Sequence, residues 1–265
     1  MSVADSASLG VMSNASDLRI FAVPGFPLVE VGFDLVAGLL DCLAGSGDSL
    51  RDGDVLALAQ KVVSKSEGRR VDLTTVAPSP RAIELAAEVQ KDARLVELVL
   101  RESTRVVRTA KDVLIVEHRL GFIMANAGID QSNVGSSNSA LLLPEDPDGS
   151  ANRIREQILI RTGVTIAVVI TDSFGRPWRV GTTGVAIGAS GLASILDLRG
   201  QPDLFGRPLR VSIVGHADEI AAAASLVMGQ GAEGRPAVIV RGLAGKGTHR
   251  SAQALLRPTR EDLFR

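Results

Sequence analysis

The stretch that most constrains the fold runs from Gly163 to Gly188. Its first part, Val164 to Ile170, is an apolar, β-branched run, which by length and composition reads as a buried strand. The run ends in Thr171, Asp172 and Ser173, three oxygen-bearing side chains in succession. A Gly175-Arg176-Pro177 turn follows and carries the only Trp of the chain, Trp178. A carboxylate beside a hydroxyl at the end of a buried strand is a common way to hold a hard cation. Arg176 and Arg179 stand where they can meet a ligand's negative charge. A strand followed by a polar turn explains the stretch as well, so its chemistry depends on the rest of the chain.

Composition narrows the class. Of 265 residues, 45% are apolar and 22% charged, with a net charge of -1. These are the proportions of a globular domain with a large core, and they argue against a general nucleic-acid binder. One cysteine, Cys42, rules out an internal disulfide and a cysteine-based zinc site. No apolar run approaches the ~20 residues of a membrane helix, and no secretion signal opens the chain, so the expected location is cytoplasmic.

Residues 1–17 are polar and aperiodic and are expected to be a disordered tail. Strands are expected at 18–23, 55–59, 104–109, 113–118, 122–125, 141–143, 192–198, 211–214 and 237–241. Helices are expected at 33–43, 81–91, 92–103, 151–163 and 219–228, the last capped by Asp218. The helices at 81–91 and 92–103 carry apolar stripes (Ile83, Leu85, Ala86, Val89; Leu95, Val96, Leu98, Val99), and 151–163 turns Ile154, Ile158 and Leu159 inward. His118 lacks a nearby second ligand and reads as structural. Residues 246–265 are expected to be a loose tail, leaving 18–245 as the working domain.

Two further segments are dense in polar groups. Gln60 to Gly68 places Lys61 and Lys65 among serines; ammonium groups beside hydroxyls suit a polyphosphate, and a solvated strand end is the plainer reading. Asn126 to Ser137 concentrates Asn, Asp, Ser and Gly. Asp130 and Asn133 can supply a carboxylate and an amide oxygen there, although a long Asx-rich turn has the same composition. Taken together, Asp130, Asp172 and Ser173 suit a hard metal held with substrate phosphates, and the lysines and arginines suit the phosphate charge. A metal-independent binding protein would use the same residues for hydrogen bonds. Gly245-Lys246-Gly247-Thr248 is not a Walker motif, because Val240 replaces the first glycine and Gly247 follows the lysine.

The ordered set Gly25-Phe-Pro-Leu-Val29, Gln60-Lys-Val-Val-Ser-Lys-Ser-Glu-Gly68, Gly128-Ile-Asp-Gln-Ser-Asn-Val134, Thr171-Asp-Ser-Phe-Gly-Arg-Pro-Trp-Arg179 and Met228-Gly-Gln-Gly-Ala-Glu-Gly234 closely resembles the coenzyme F420:L-glutamate ligase family, also called F420-0:γ-glutamyl ligases. The resemblance is to the form without the C-terminal nitroreductase-like domain that some relatives carry. It implies an α+β fold of mixed multi-stranded sheets with flanking helices, a non-Walker nucleotide site and an intertwined homodimer. It also implies an enzyme that joins L-glutamate to the carboxylate of a phospholactyl deazaflavin, coenzyme F420-0, with GTP cleaved to GDP and phosphate.

Carried over by motif, Asp130, Asp172, Ser173 and Gln230 are implied ligands of Mg²⁺ or Mn²⁺, with K⁺ a further candidate ion. The guanine nucleotide is implied to contact Phe26, Pro27, Leu28, Val29, Gln60, Lys61, Lys65 and Asn133, and the segment Met228, Gly229, Gln230, Gly231, Ala232, Glu233, Gly234, Arg235. No catalytic nucleophile is implied. Gly32-Phe33-Asp34 departs from the Gly-Asp-Asp type of many relatives, which puts an acidic contact there in doubt. Two rivals stand beside this reading: a nucleotide- or phosphate-binding regulatory protein, and a ligase acting on another carboxylate acceptor.

Overall fold

The computed structural model describes residues 17–132, 138–243 and 248–263. In chain order its elements are β1 (Arg19–Ala22), α1 (Leu35–Gly45), β2 (Val55–Ala59), α2 (Gln60–Ser66), β3 (Arg70–Asp72), α3 (Pro80–Val89), α4 (Ala93–Arg101), β4 (Ser103–Ala110), β5 (Val113–His118), β6 (Ile123–Ala125), β7 (Ser139–Leu141), α5 (Pro147–Thr162), β8 (Ala167–Arg176), β9 (Arg179–Ser190), β10 (Leu196–Asp197), β11 (Ile213–Val214), α6 (His216–Met228) and β12 (Ala237–Arg241). The fold is mixed α and β, as expected. Its main sheet runs β1-β12-β2-β8-β9, and small sheets pair β3 with β7, β10 with β11, and β4 with β5 and β6. Within the main sheet only β2 and β8 are parallel.

The main sheet is buried on both faces, so its central strands are apolar throughout rather than alternating with polar residues. Leu56, Leu58, Val168, Ile170 and Ile239 share a core with Leu39 and Leu43 of α1 and Ile154 and Ile158 of α5. The intervening Val55, Ala57, Ala167, Val169, Val238 and Val240 meet Ala217, Ile220, Ala221 and Ala224 of α6. Two glycines of β9 let helices close onto the sheet. A Cβ at Gly184 would lie 2.3 Å from the carbonyl oxygen of Ala221, and one at Gly188 would lie 2.4 Å from that of Pro147. A third core joins α3 and α4 to Leu114 and Val116 of β5. Ser79 caps α3 through the Ala82 amide and Asp92 caps α4 through that of Arg94.

Beside this third core, Glu102 is held among basic groups. Its Oε2 lies 3.1 Å from Arg69, 3.2 Å from Arg119 and 3.5 Å from Nε2 of His118. Burial opposes its ionised form, but these partners outweigh burial and bring its pKa down to about 2. His118 is fully buried and its Nδ1 accepts from the Leu120 amide, which fits the structural reading.

Several expectations are corrected. Gln60 to Ser66 is a helix, not a strand end. Helix α5 starts earlier, because Asp146 caps it and Pro147 takes its first position. Ile83 and Leu159 face outward, 55% and 41% exposed, because each flanks its helix's apolar stripe. Of residues 192–198 only Leu196–Asp197 form a strand, and Ala193 makes an isolated bridge to Arg250. Asp218 is not a cap: it sits in the first turn of α6, and its carboxylate accepts from the Ala186 amide of β9 at 2.9 Å. The described part of the expected C-terminal tail is anchored. Ala252 is fully buried, and the Asp148 carboxylate accepts from the amides of both Ala252 and Ala189.

Candidate functional site

Four of the polar motifs emerge at one end of the main sheet, and register explains why. Ala59, the last residue of β2, pairs with Thr171 of β8. The Ala59 amide donates to the carbonyl of Pro236, just before β12, and Val23, just after β1, donates to Ala237. The loop carrying Phe26 to Val29, the first turn of α2, the outer half of β8 and the segment Met228 to Arg235 therefore leave the sheet side by side. Ligands of open α/β sheets favour this place, outside the carboxyl ends of parallel strands.

Asp172 is not past its strand but inside it. Strand β8 continues through Thr171, Asp172 and Ser173 to Arg176 and turns back at Pro177-Trp178 into β9. The fixed φ of Pro177 and the positive φ of Trp178, 65°, make the turn. A register shift lies between Ile170 and Thr171, where β8 passes from a fully buried strand to a half-exposed ribbon. Phe174 fixes that ribbon by standing edge-on to Phe122, with ring centres 6.0 Å apart.

Asp130 arrives from the other direction. It forms an isolated antiparallel bridge with Leu141, each amide donating to the other's carbonyl. Lys61 of α2 makes an ion pair with its Oδ2. The Ser132 amide donates to Oδ1 at 2.6 Å, and Lys61 Nζ donates to Ser132 Oγ at 2.9 Å. The contact with Ser132 was not anticipated; only the density of hydroxyls in that turn pointed toward it.

The two carboxylates are in different electrostatic states. Burial works against ionisation of Asp130, but Lys61 and the Ser132 amide outweigh it and hold the pKa below the ordinary carboxylate value. For Asp172 burial dominates and the charge of Asp130 adds to it, while the Ser173 amide and Lys61 oppose it; the pKa is pushed up to about 7. Lys65 is drawn down by burial and by Arg70 and Lys61, against Glu30 and Asp130. Lys61, Lys65, Asp130 and Asp172 thus share one electrostatic neighbourhood.

The remaining predicted residues divide. Ser173 is half-buried beside Asp172 and donates its amide to Oδ1 of that residue. Gln60 is only 2% exposed, and its side-chain oxygen accepts from Ser64. Phe26 packs on the core, Val29 is buried, and Pro27 and Leu28 face solvent. Met228 closes α6, whereas Gln230 to Arg235 are exposed, and Glu233 folds back to accept from the Gly231 amide. Gln230 makes no hydrogen bond to either aspartate among the described residues. Asn133 lies outside the described residues. Arg176 and Arg179 face each other at the exposed hairpin tip without an ion pair among the described residues.

The donor set fits a hard cation. Two carboxylates lie within electrostatic reach of each other, Asp172 has burial uncompensated by a full counter-charge, and an ammonium already neutralises Asp130. Among the described residues no group of three or more His, Cys, Asp or Glu converges, so further ligands would come from hydroxyls, amides or substrate oxygens.

Comparison with known proteins gives a consistent picture. A model of the F420-0:Gamma-glutamyl ligase family matches residues 25–242. Coenzyme F420:L-glutamate ligase of Methanothermobacter thermautotrophicus is 46% identical over 251 residues, covering 94% of this chain and 99% of the relative. That of Methanopyrus kandleri is 45% identical, covering 96% of this chain and all of the relative. The Archaeoglobus fulgidus protein of the same name is also 45% identical, with 94% and 96% covered.

Proposed function

The chain belongs to the F420-0:γ-glutamyl ligase family, and from that premise we propose that it is a ligase adding L-glutamate to coenzyme F420-0 at the expense of GTP. The observation that carries this reading is the Lys61–Asp130 ion pair within electrostatic reach of Asp172, which stands on β8 just beyond the carboxyl end of β2. A carboxylate is a poor electrophile because its oxygen leaves badly. Transfer of the γ-phosphoryl group to the F420-0 carboxylate gives an acyl phosphate and GDP. Attack by the glutamate amine then forms the amide, releasing phosphate and one proton. Such a reaction asks for positioning and charge neutralisation rather than a protein nucleophile.

In this reading Asp130, Asp172 and Ser173 hold Mg²⁺ or Mn²⁺, with Gln230 and K⁺ as further members of the site. A bound divalent ion supplies charge stabilisation to the transferring phosphoryl group. Lys61 and Lys65 steady the phosphates. The segments Phe26 to Val29 and Met228 to Arg235, together with Asn133, frame the nucleotide. Gln60 contributes by buttressing α2 from within. The β8–β9 hairpin supports a homodimer: Trp178 and Val180 at its tip are 87% and 103% exposed, an apolar surface suited to a second copy.

The deciding experiment incubates the protein with GTP, Mn²⁺, L-glutamate and F420-0, and follows the deazaflavin by mass spectrometry. A glutamyl mass increment matched by GDP release is expected. Tight GTP binding with no product would favour a regulatory nucleotide-binding protein, and glutamylation of other acceptors only would point to a different ligase.

A further inference from the structure

Both oxygens of Asp130 are engaged, one by the Ser132 amide and the other by the Lys61 ammonium. Lys61 is itself held by the Ser132 hydroxyl. The pair is mostly enclosed, with the Lys61 and Asp130 side chains 33% and 27% exposed, so water screens it only partly. We propose that Lys61 is an exchangeable cation: it leaves Asp130 when a divalent metal binds there and re-pairs with a nucleotide phosphate, so that metal and nucleotide bind as a coupled pair.

The inference rests on the ligase reading and concerns how its site is loaded. A metal alone would have to displace an ammonium that then has no anion to receive it. It would also leave two like charges close together in a half-enclosed site. A triphosphate would remove both obstacles by accepting the ammonium and supplying negative charge beside the metal. Lys61 can make the exchange because it sits in the first turn of α2, on a different segment from Asp130 and Ser132. Moving its side chain requires no change in the turn that carries the aspartate.

The test is Mn²⁺ titration of the full chain, read by the paramagnetic resonance signal of unbound Mn²⁺. It is run with and without a non-hydrolysable GTP analogue and corrected for Mn²⁺ chelated by the analogue in solution. In the unmodified protein the analogue is expected to tighten Mn²⁺ binding by about tenfold or more, within the usual range of site–site coupling. Lys61→Met is expected to bind Mn²⁺ alone more tightly than the unmodified protein and to reduce the effect of the analogue to about twofold. Ser132→Ala keeps the ammonium and both carboxylates while loosening the lysine, so a smaller change in the same direction is expected. The inference is overturned if neither variant binds Mn²⁺ alone more tightly. If the unmodified protein holds no Mn²⁺ even with the analogue, the ligase-site reading itself fails.

Discussion

Replacing Asp172 with asparagine should make the metal-free protein more stable while abolishing turnover. Burial pushes this carboxyl up to about 7, far above the ordinary aspartate value of 3.8. A raised folded pKa means that stability is greatest below the unfolded value and is lost as pH rises through the folded one. Converting the shift, the buried carboxyl costs the fold about 4 kcal/mol at pH 8, where it is ionised, and about 2 kcal/mol at pH 5, where folding keeps it protonated and the unfolded chain does not. Asparagine keeps the shape and an oxygen for the Ser173 amide but cannot ionise. The variant should therefore melt above the unmodified protein, and the gap should widen by roughly 5 to 10 °C between pH 5 and pH 8 for a domain of this size. Differential scanning calorimetry on both proteins, without divalent ions, measures this directly. Added Mn²⁺ and nucleotide should then stabilise the unmodified protein and leave the variant unmoved. A variant melting below the unmodified protein at both pH values, or a gap independent of pH, would refute the reasoning.

Three other outcomes follow from the same geometry. Glu102→Gln should cost about 3 kcal/mol at pH 7 by urea unfolding; because the native pKa is depressed to about 2, the gap should narrow as pH falls below 4.5, and a gap unchanged at pH 3 would count against it. Gly184→Val should destabilise by at least about 1–3 kcal/mol, since the new side chain meets the Ala221 carbonyl, and an unchanged melting point would show that α6 does not sit as described. Asp148→Ala leaves the amides of Ala189 and Ala252 without their acceptor and should cost about 1–3 kcal/mol while speeding proteolysis after residue 248; equal proteolysis rates would argue against the anchor.

Much of this was legible in the sequence because strand signals in a doubly covered sheet are strong. Residues 55–59, 113–118 and 237–241 are short, mostly apolar and bounded by polar or turn-forming residues, and each is a strand with those bounds. The pairing of Lys61 with Asp130 and the proximity of Asp172 to Asp130 carry 69- and 42-residue separations, which no local pattern encodes; the motifs named the residues, and only tertiary structure joins them. The errors are physical in origin. Helix α2 was hidden because its seven residues are too few to show a period. Strand β9 was missed because its glycines, needed for helix contact, weaken strand propensity. Asp218 looked like a cap because an aspartate before an alanine-rich run normally is one; here the edge strand claims its carboxylate. The C-terminal segment reads as polar, yet one small side chain, Ala252, is enough to seat it against the body.

The placement of Trp178 has an optical consequence. The chain contains one tryptophan and no tyrosine, so its intrinsic emission comes from the tip of a single hairpin. That ring is already solvated in the folded protein, and its spectrum should change little when the core melts. The same silence makes it a clean local probe: a blue shift that grows with protein concentration would mean that another surface has closed over the hairpin, without interference from any other fluorophore.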